Sequence, residues 1–393
     1  MTLLSVAEAQ ARLFAAAPRV GAETVALAEA AGRWLAAPLI ARRDQPSADL
    51  SAMDGYALRF AELPGPLSVI GESAAGRAFD RALGAGEAVR IFTGAPLPQG
   101  ADTILVQEEA RREGALLWLN GAGPRARGRH VRRLGQDFAR GAELLPAGAR
   151  VTPAAIGLAA AAGHGALAVN RRVRVAIAAT GDELVPPGAP VGPAQLPEAN
   201  GAMLAALIAD LPVEVTDLGI VPDRLDALTD AFVGARADVI VTSGGASVGD
   251  HDLVRPALQA AGGAIDFWRI AMRPGKPLLA GRLGEAVVLG LPGNPVSAFV
   301  TATLFLRPLV AALAGAADPL PRRRRAPLAA PLPANDGRED YLRGWWVEEG
   351  VVAAATQDSA MLATLARATC LIVRPPHAGA ALVGDSVEIL DIA

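Results

Sequence analysis

The sequence predicts a multidomain α/β protein. Its parts are a mostly parallel, doubly wound sheet domain, an inserted β domain, a helical linker domain and a C-terminal β-barrel-like domain. Three observations lead there. At about 150 residues per domain, 393 residues make between two and three domains. Residues 171–316 alternate strand-like and helix-like segments at the spacing of a parallel sheet covered on both faces. Residues 45–137 and the last sixty instead carry short β-like runs punctuated by Gly and Pro.

Taken in order, Ser5 can cap a first helix with apolar positions Val6, Ala9, Leu13 and Phe14, and a second helix fits Ala22 to Ala31, ended by Gly32. Thr152 caps another from Pro153 to Ala162, so residues 1–44 and 138–170 form the helical linker domain. Between them, LSVIG, EAVRIF, DTILVQEE and ALLWLN read as strands of an inserted β domain over 45–137. In the α/β domain, VRVAIAA, VEVTDLGIV, DVIVTS, IDFWRIA, PLLAG and AVVLG are the strands. Helices follow at Gly201 to Leu211, through Ala235, to Ala261 and to Ala314. Pro319 to Pro333, with Arg322 to Arg325, reads as a solvated linker, and 317–393 as the C-terminal β domain.

Composition narrows the function classes. A net charge of −3 and a pI of 5.9 argue against a general nucleic-acid binder. Hydrophobic residues at 52% exclude whole-chain disorder. MTLLSVAEAQ makes a poor signal peptide, and Pro295 to Gly315, broken by Arg307 and Pro308, falls short of a clean membrane span. A single cysteine, Cys370, and four scattered histidines offer neither a disulfide nor zinc spacing. A cytoplasmic protein is expected.

Ligands of an open parallel sheet bind outside the carboxyl ends of its strands. Each Gly-rich or acidic loop here follows a strand: Thr180-Gly181-Asp182-Glu183, Asp223, Ser243-Gly244-Gly245, Asp250-His251-Asp252, Arg273-Pro274-Gly275-Lys276 and Leu291-Pro292-Gly293-Asn294-Pro295. Topology should gather them on one rim. The Gly pair, with hydroxyls of Ser243 and Ser247, has the form of an anion cradle, although a plain tight turn also uses Gly-Gly. Lys276 is the only lysine beside 36 arginines, and a compact ammonium suits a phosphate or metal oxyanion. Asp182 and Asp252 could equally cap the helices after them. Together with Glu183 and Asp223, they suggest Mg²⁺ held by carboxylates and ligand phosphates.

SAMDGYA, TGAPLPQGADTILVQEE, RRLGQDFARGAELLPAG, ATGDEL, SGGASVGDHD, RPGKP, LGLPGNPVSA and DYLRG occur in this order. The set resembles the MoeA-type molybdopterin molybdenumtransferases, the family that also supplies the C-terminal portion of gephyrin. The resemblance implies a MoaB/MogA-like sheet domain and insertion of molybdenum into adenylylated molybdopterin, with release of AMP. It implies Mg²⁺ dependence, molybdate as co-substrate and a homodimer whose cleft lies between subunits. Transient partners would be the molybdopterin adenylyltransferase and enzymes that accept the cofactor. Carried over by motif, the catalytic acids are Asp54, Asp137, Glu183, Asp223 and Asp252, with Asp223 and Asp252 on the metal. Thr180, Gly181, Asp182, Ser243, Gly244, Gly245 and Ser247 would bind substrate. Arg269, Arg273 and Lys276 form the basic set, Pro292 and Pro295 shape the cleft, and Arg343 and Ser359 come from the C-terminal domain. Glu198-Ala199-Asn200 departs from the family's Asp-Ser-Asn, Arg269 and Arg273 stand at positions commonly Lys, and His251 is unusual. A molybdopterin adenylyltransferase and a non-catalytic, gephyrin-like scaffold are the rival readings.

Overall fold

A computed structural model describes residues 3–245 and 253–392. Six strands build the central sheet: β1 (Val173–Thr180), β2 (Val213–Val221), β3 (Val239–Ser243), β4 (Ala264–Arg269), β5 (Pro277–Leu283) and β6 (Ala286–Leu291). Their order is β2-β1-β3-β6-β5-β4. The first four are parallel, and β5 runs antiparallel to both β6 and β4. Helices α1 (Asn200–Ile208), α2 (Leu225–Gly234), α3 (Val254–Ala260) and α4 (Pro295–Leu313) cover it. Alternate strand residues face opposite sides. Val173, Val175 and Ile177 of β1 therefore pack with Leu204 and Ile208 of α1 and with α4, while Ala178 joins Leu228 and Phe232 of α2 and Leu258 of α3. The sheet is doubly wound.

Pro295 to Gly315 was expected to be broken at Arg307 and Pro308. Instead α4 runs through both residues, is long and apolar enough to cross a membrane, and is 83% buried inside the protein. Two features allow this. A π-helical turn over Ala302–Leu306 precedes Pro308, so the proline starts a fresh α-helical segment. The Arg307 guanidinium donates to the Leu207 carbonyl at 2.6 Å and pairs with Asp210, which ties α4 to the end of α1. That ion pair also holds the Asp210 carboxyl below the usual range.

The first helix, Val6–Ala16, opens with a capping box: the Ser5 hydroxyl accepts from Glu8 N–H and the Glu8 carboxylate accepts from Ser5 N–H. Val6, Ala9 and Leu13 bury against the central core, so this helix packs with the sheet domain. The helix expected over Ala22 to Ala31 is a strand, Ala22–Ala26, followed by one turn, Leu27–Ala30. Its alanines favour a helix, but pairing in full register with the distant segment Ala166–Asn170 supplies hydrogen-bond partners and overrides that preference. A second pair, Leu39–Ile40 with Glu143–Leu145, and the Thr152-capped helix Pro153–Ala161 complete this region. The linker domain is mixed α/β, not helical.

The inserted β domain is a six-stranded sheet ordered Thr103–Val106, Gly55–Leu58, Glu87–Ile91, Leu67–Ser73, Leu116–Leu119 and Ala110–Glu113. Its second strand begins inside the MDGYA motif. In the C-terminal domain, Arg323–Pro327, Glu339–Val347, Gly350–Ala353, Cys370–Arg374 and Ser386–Asp391 form a sheet. A bridge from Leu328 to Val351 draws its ends together, as in a barrel. Arg323–Pro327 corrects the expected solvated linker. It pairs with Ser386–Asp391, where Arg323 meets Glu388 and Glu339 and Arg324 meets Asp391. The arginines are there to answer acids on the neighbouring strands.

Candidate active site

Strand register sets the rim. Val221, Thr180, Ser243 and Leu291 close β2, β1, β3 and β6, and pairings Thr180↔Val221, Ala179↔Ser243 and Ser243↔Leu291 bring these ends nearly level. Because β5 is antiparallel, its start at Pro277 lies on the same side, carrying the Arg273–Lys276 loop with it. A cleft of about 760 Å³ opens there. Thr180, Gly181, Glu183, Asp223, Ser243, Gly244, Gly245, Pro292 and Pro295, all singled out from sequence, line it.

The loops are locked by specific bonds. Gly244 N–H donates to the Leu291 carbonyl at 3.1 Å, joining the ends of β3 and β6. Gly244 has φ +102, and a Cβ there would stand 2.4 Å from the Thr180 carbonyl oxygen, so only glycine fits. Asp182 does not line the cleft. Its Oδ1 accepts from Asp223 N–H at 3.0 Å and so fastens the β1 loop to the β2 loop. The Gly293–Asn294 turn is held from two sides. Asn200 Nδ2 donates to the Gly293 carbonyl, and Asn294 Nδ2 donates to Ser359 Oγ at 3.0 Å.

The C-terminal domain supplies one wall, where Ala360 and Leu362 border the cleft. Ser359 touches the LPGNP turn but does not face the cavity. Arg343 is also absent from the wall. It is 1% exposed, and its guanidinium donates to the carbonyls of Thr356 and Met361 and to Gln357 Oε1. Burial pushes its pKa below the ordinary arginine value. In this structure Arg343 shapes the segment that carries Ser359.

The basic set lies beside the cleft and not in its wall. Arg273 pairs with Asp336 and Asp340, because Met272–Arg273 joins the C-terminal sheet alongside Glu339–Asp340. Lys276 is exposed and, among the described residues, has no carboxylate partner. Arg269 is exposed on β4. Asp54 and Asp137 lie on the inserted domain's side of the chain and do not line this cleft. Asp54 Oδ1 accepts from the N–H and hydroxyl of Thr93, bonds that hold its carboxyl below the usual range. Asp137 is exposed. Ser247, Asp250, His251 and Asp252 lie outside the described residues.

Among the wall residues not assigned from sequence as ligand contacts, the polar ones are Glu198, Asn200 and Asn294. Glu198 Oε1 accepts from Gly201 N–H at 2.8 Å, an ordinary helix-start bond, and its second oxygen has no hydrogen-bond partner among the described residues. Asn294 lay in the LPGNP loop already placed on the rim, and for Glu198 and Asn200 the signal was the Glu198-Ala199-Asn200 segment standing at the family's Asp-Ser-Asn.

Three family models match in succession: the MoeA N-terminal region (domain I and II) over residues 4–163, the probable molybdopterin binding domain over 176–312, and the MoeA C-terminal region (domain IV) over 325–392. The chain belongs to the MoeA family. It is similar to a molybdopterin molybdenumtransferase of Haemophilus influenzae, 35% identical over 93% of each chain. Molybdopterin molybdenumtransferase 2 of Mycobacterium tuberculosis is 36% identical over 94% of this chain and 95% of its own. Among solved structures, the molybdopterin biosynthesis MoeA protein of Pyrococcus horikoshii OT3 superposes with a TM-score of 0.86 over all of both chains, at 25% identity. The four-part MoeA architecture is thus shared end to end.

Proposed function

We propose that this MoeA-family chain inserts molybdenum into adenylylated molybdopterin and releases AMP, completing the molybdenum cofactor. The observation that carries this reading is the convergence of TGDEL, SGG, LPGNP and the RPGKP loop on one rim of the sheet around a single cleft. The substrate joins a flat heterocycle to a pyrophosphate and a nucleotide, and molybdate is a second oxyanion. A floor of strand-end amides and hydroxyls suits the oxyanions, and Leu184, Leu196 and Leu362 on the rim suit the flat rings.

Mg²⁺ fits this donor set. The acids in the cleft wall, Glu183, Glu198 and Asp223, offer hard oxygen ligands, and among the described residues no three His, Cys, Asp or Glu side chains converge into a cage. Mg²⁺ is commonly held by one or two carboxylates plus substrate phosphates. Asp223, with Asp252, would hold it. When bound, it neutralises charge that develops on the phosphates during P–O cleavage. The chain's own part is positioning: Asp182 fixes the Asp223 loop, and Gly244 and Gly245 bring the backbone close to the phosphates. Lys276 supplies positive charge at the edge, while Arg273 beside it is paired with Asp336 and Asp340.

Asp54 and Asp137 do not line this chain's own cleft, so this reading includes a homodimer in which a second copy would present them to a shared site. The working place of the protein would be the cytoplasm, with the adenylyltransferase upstream and cofactor-accepting enzymes downstream. Adenylylation alone is the less favoured activity, because it would need the sheet domain only, and this chain carries the MDGYA domain and the C-terminal domain as well. The test is to mix purified protein with adenylylated molybdopterin, Mg²⁺ and molybdate. AMP release with formation of active cofactor supports the proposal. ATP-dependent accumulation of adenylylated pterin favours the adenylyltransferase, and binding without turnover favours a scaffold.

A further inference from the structure

Asn200 makes a forked contact that the chemistry above leaves unused. Its Nδ2 donates at 2.7 Å to Ser243 Oγ and at 2.7 Å to the carbonyl of Gly293. A backbone carbonyl can only accept, so the amide's orientation is set: Nδ2, not Oδ1, faces Gly293. The same nitrogen then has only hydrogens to offer Ser243. The serine oxygen must accept, and its own proton is left over for another acceptor.

Ser243 is 2% exposed, lines the cleft, and has no other hydrogen-bond partner among the described residues. Thr180, 4% exposed, ends β1 and also belongs to the cleft wall, but Ser243 pairs with Ala179, so the Thr180 side chain leaves the opposite face of the sheet, and its Oγ1 is buried with no partner among the described residues. A buried hydroxyl without a partner costs about 1–3 kcal/mol. The Ser243 hydroxyl differs: its oxygen accepts from Asn200, and its proton has no acceptor among the described residues.

Resting on the oxyanion-binding reading above, we propose that Asn200 is a positioning residue that turns the Ser243 hydroxyl proton into the cleft. There it is one donor of a seat for a phosphate oxygen of the ligand. Asn200 also holds the β3 loop to the LPGNP turn, so the seat keeps its width. The amide does not serve as a helix cap, since Asn200 is already the first residue of α1 and the preceding Ala199 provides no side-chain cap.

The test is a double-mutant cycle between Asn200→Ala and Ser243→Ala, read as the dissociation constant for AMP by calorimetry and as KM and kcat for adenylylated molybdopterin. Asn200→Ala is expected to weaken AMP and raise KM about tenfold, the worth of one neutral hydrogen bond, with kcat within about twofold. In the Ser243→Ala background the same change should cost clearly less, because the part of Asn200 that acts through that hydroxyl is already gone and only the Gly293 bond remains to be lost. Asn200→Asp, of equal size, offers Ser243 an acceptor and captures its proton. It should weaken AMP at least as much and serves if the alanine variant does not fold. Equal losses from Asn200→Ala with and without Ser243, or a fall in kcat with KM unchanged, overturn the proposal while leaving the oxyanion site standing. Failure of the unchanged protein to bind AMP overturns both.

Discussion

The side-chain amide of Gln10 donates a buried 2.8 Å hydrogen bond to the carbonyl of Leu304, four residues before Pro308. Pro308 has no N–H to return to that carbonyl. Gln10, from the N-terminal helix, supplies the missing donor where the core helix changes to a π turn. Gln10→Leu should therefore destabilise the fold by about 1–3 kcal/mol, measured by urea denaturation, with the kcat of folded protein unchanged.

Asp238 receives both Arg171 guanidinium nitrogens at 2.7 Å, the Arg174 backbone N–H and the Arg174 side chain. Burial alone would raise its carboxyl, but these bonds outweigh it and bring the pKa from 3.8 down to about 2. The carboxyl is depressed in the folded state, so its contribution is complete above its unfolded pKa and is lost as pH falls through its folded one. Asp238→Asn should cost about 2 kcal/mol near neutrality. It should also flatten the stability curve between about pH 4 and pH 2, followed by denaturant midpoints across that range.

Asp54→Ala should lower turnover by about 10²-fold or more while the protein stays folded, since the only bonds lost are those to Thr93. Mixed with Glu183→Ala, it should regain activity through hybrid dimers with one intact cleft. An inactive mixture that nonetheless exchanges subunits would place both residues in one chain's own site.

Lys276→Arg keeps the charge but exchanges a compact ammonium for a planar fork. The expected outcome is a higher molybdate concentration for half-maximal cofactor formation, with folding unaffected. Unchanged molybdate dependence would return this lysine to an accident of composition.

Gly244→Ala should lose several-fold in AMP affinity and also lower thermal stability, because its Cβ would meet the Thr180 carbonyl and its backbone would be strained by about 1–3 kcal/mol. A variant of full stability and full affinity would show that the β3 loop relaxes freely.

The sheet domain was readable because most of its strands are short runs rich in β-branched and apolar residues, and all but β4 are followed directly by Gly or Pro. One topological rule then carried Thr180, Ser243 and Pro292 to the same rim. Ala22–Ala26 was not readable: an alanine-rich stretch becomes a strand only because Ala166–Asn170 lies beside it. Arg343 misled for a related reason. Its motif marks a position, but whether a guanidinium meets ligand or the carbonyls of Thr356 and Met361 depends on the closing of a loop with little local pattern. Asp54 and Asp137 are the extreme case, because within one chain nothing brings them to the cleft wall.

Tyr341, Leu371, Val373 and Leu390 of the C-terminal sheet belong to the same apolar cluster as β1, β3, α4 and the N-terminal helix. Met272–Arg273 is woven into that sheet besides. Melting either part strips the other of its packing, so heat should unfold the two in a single calorimetric step. Neither piece, severed between them, should survive as a soluble fragment.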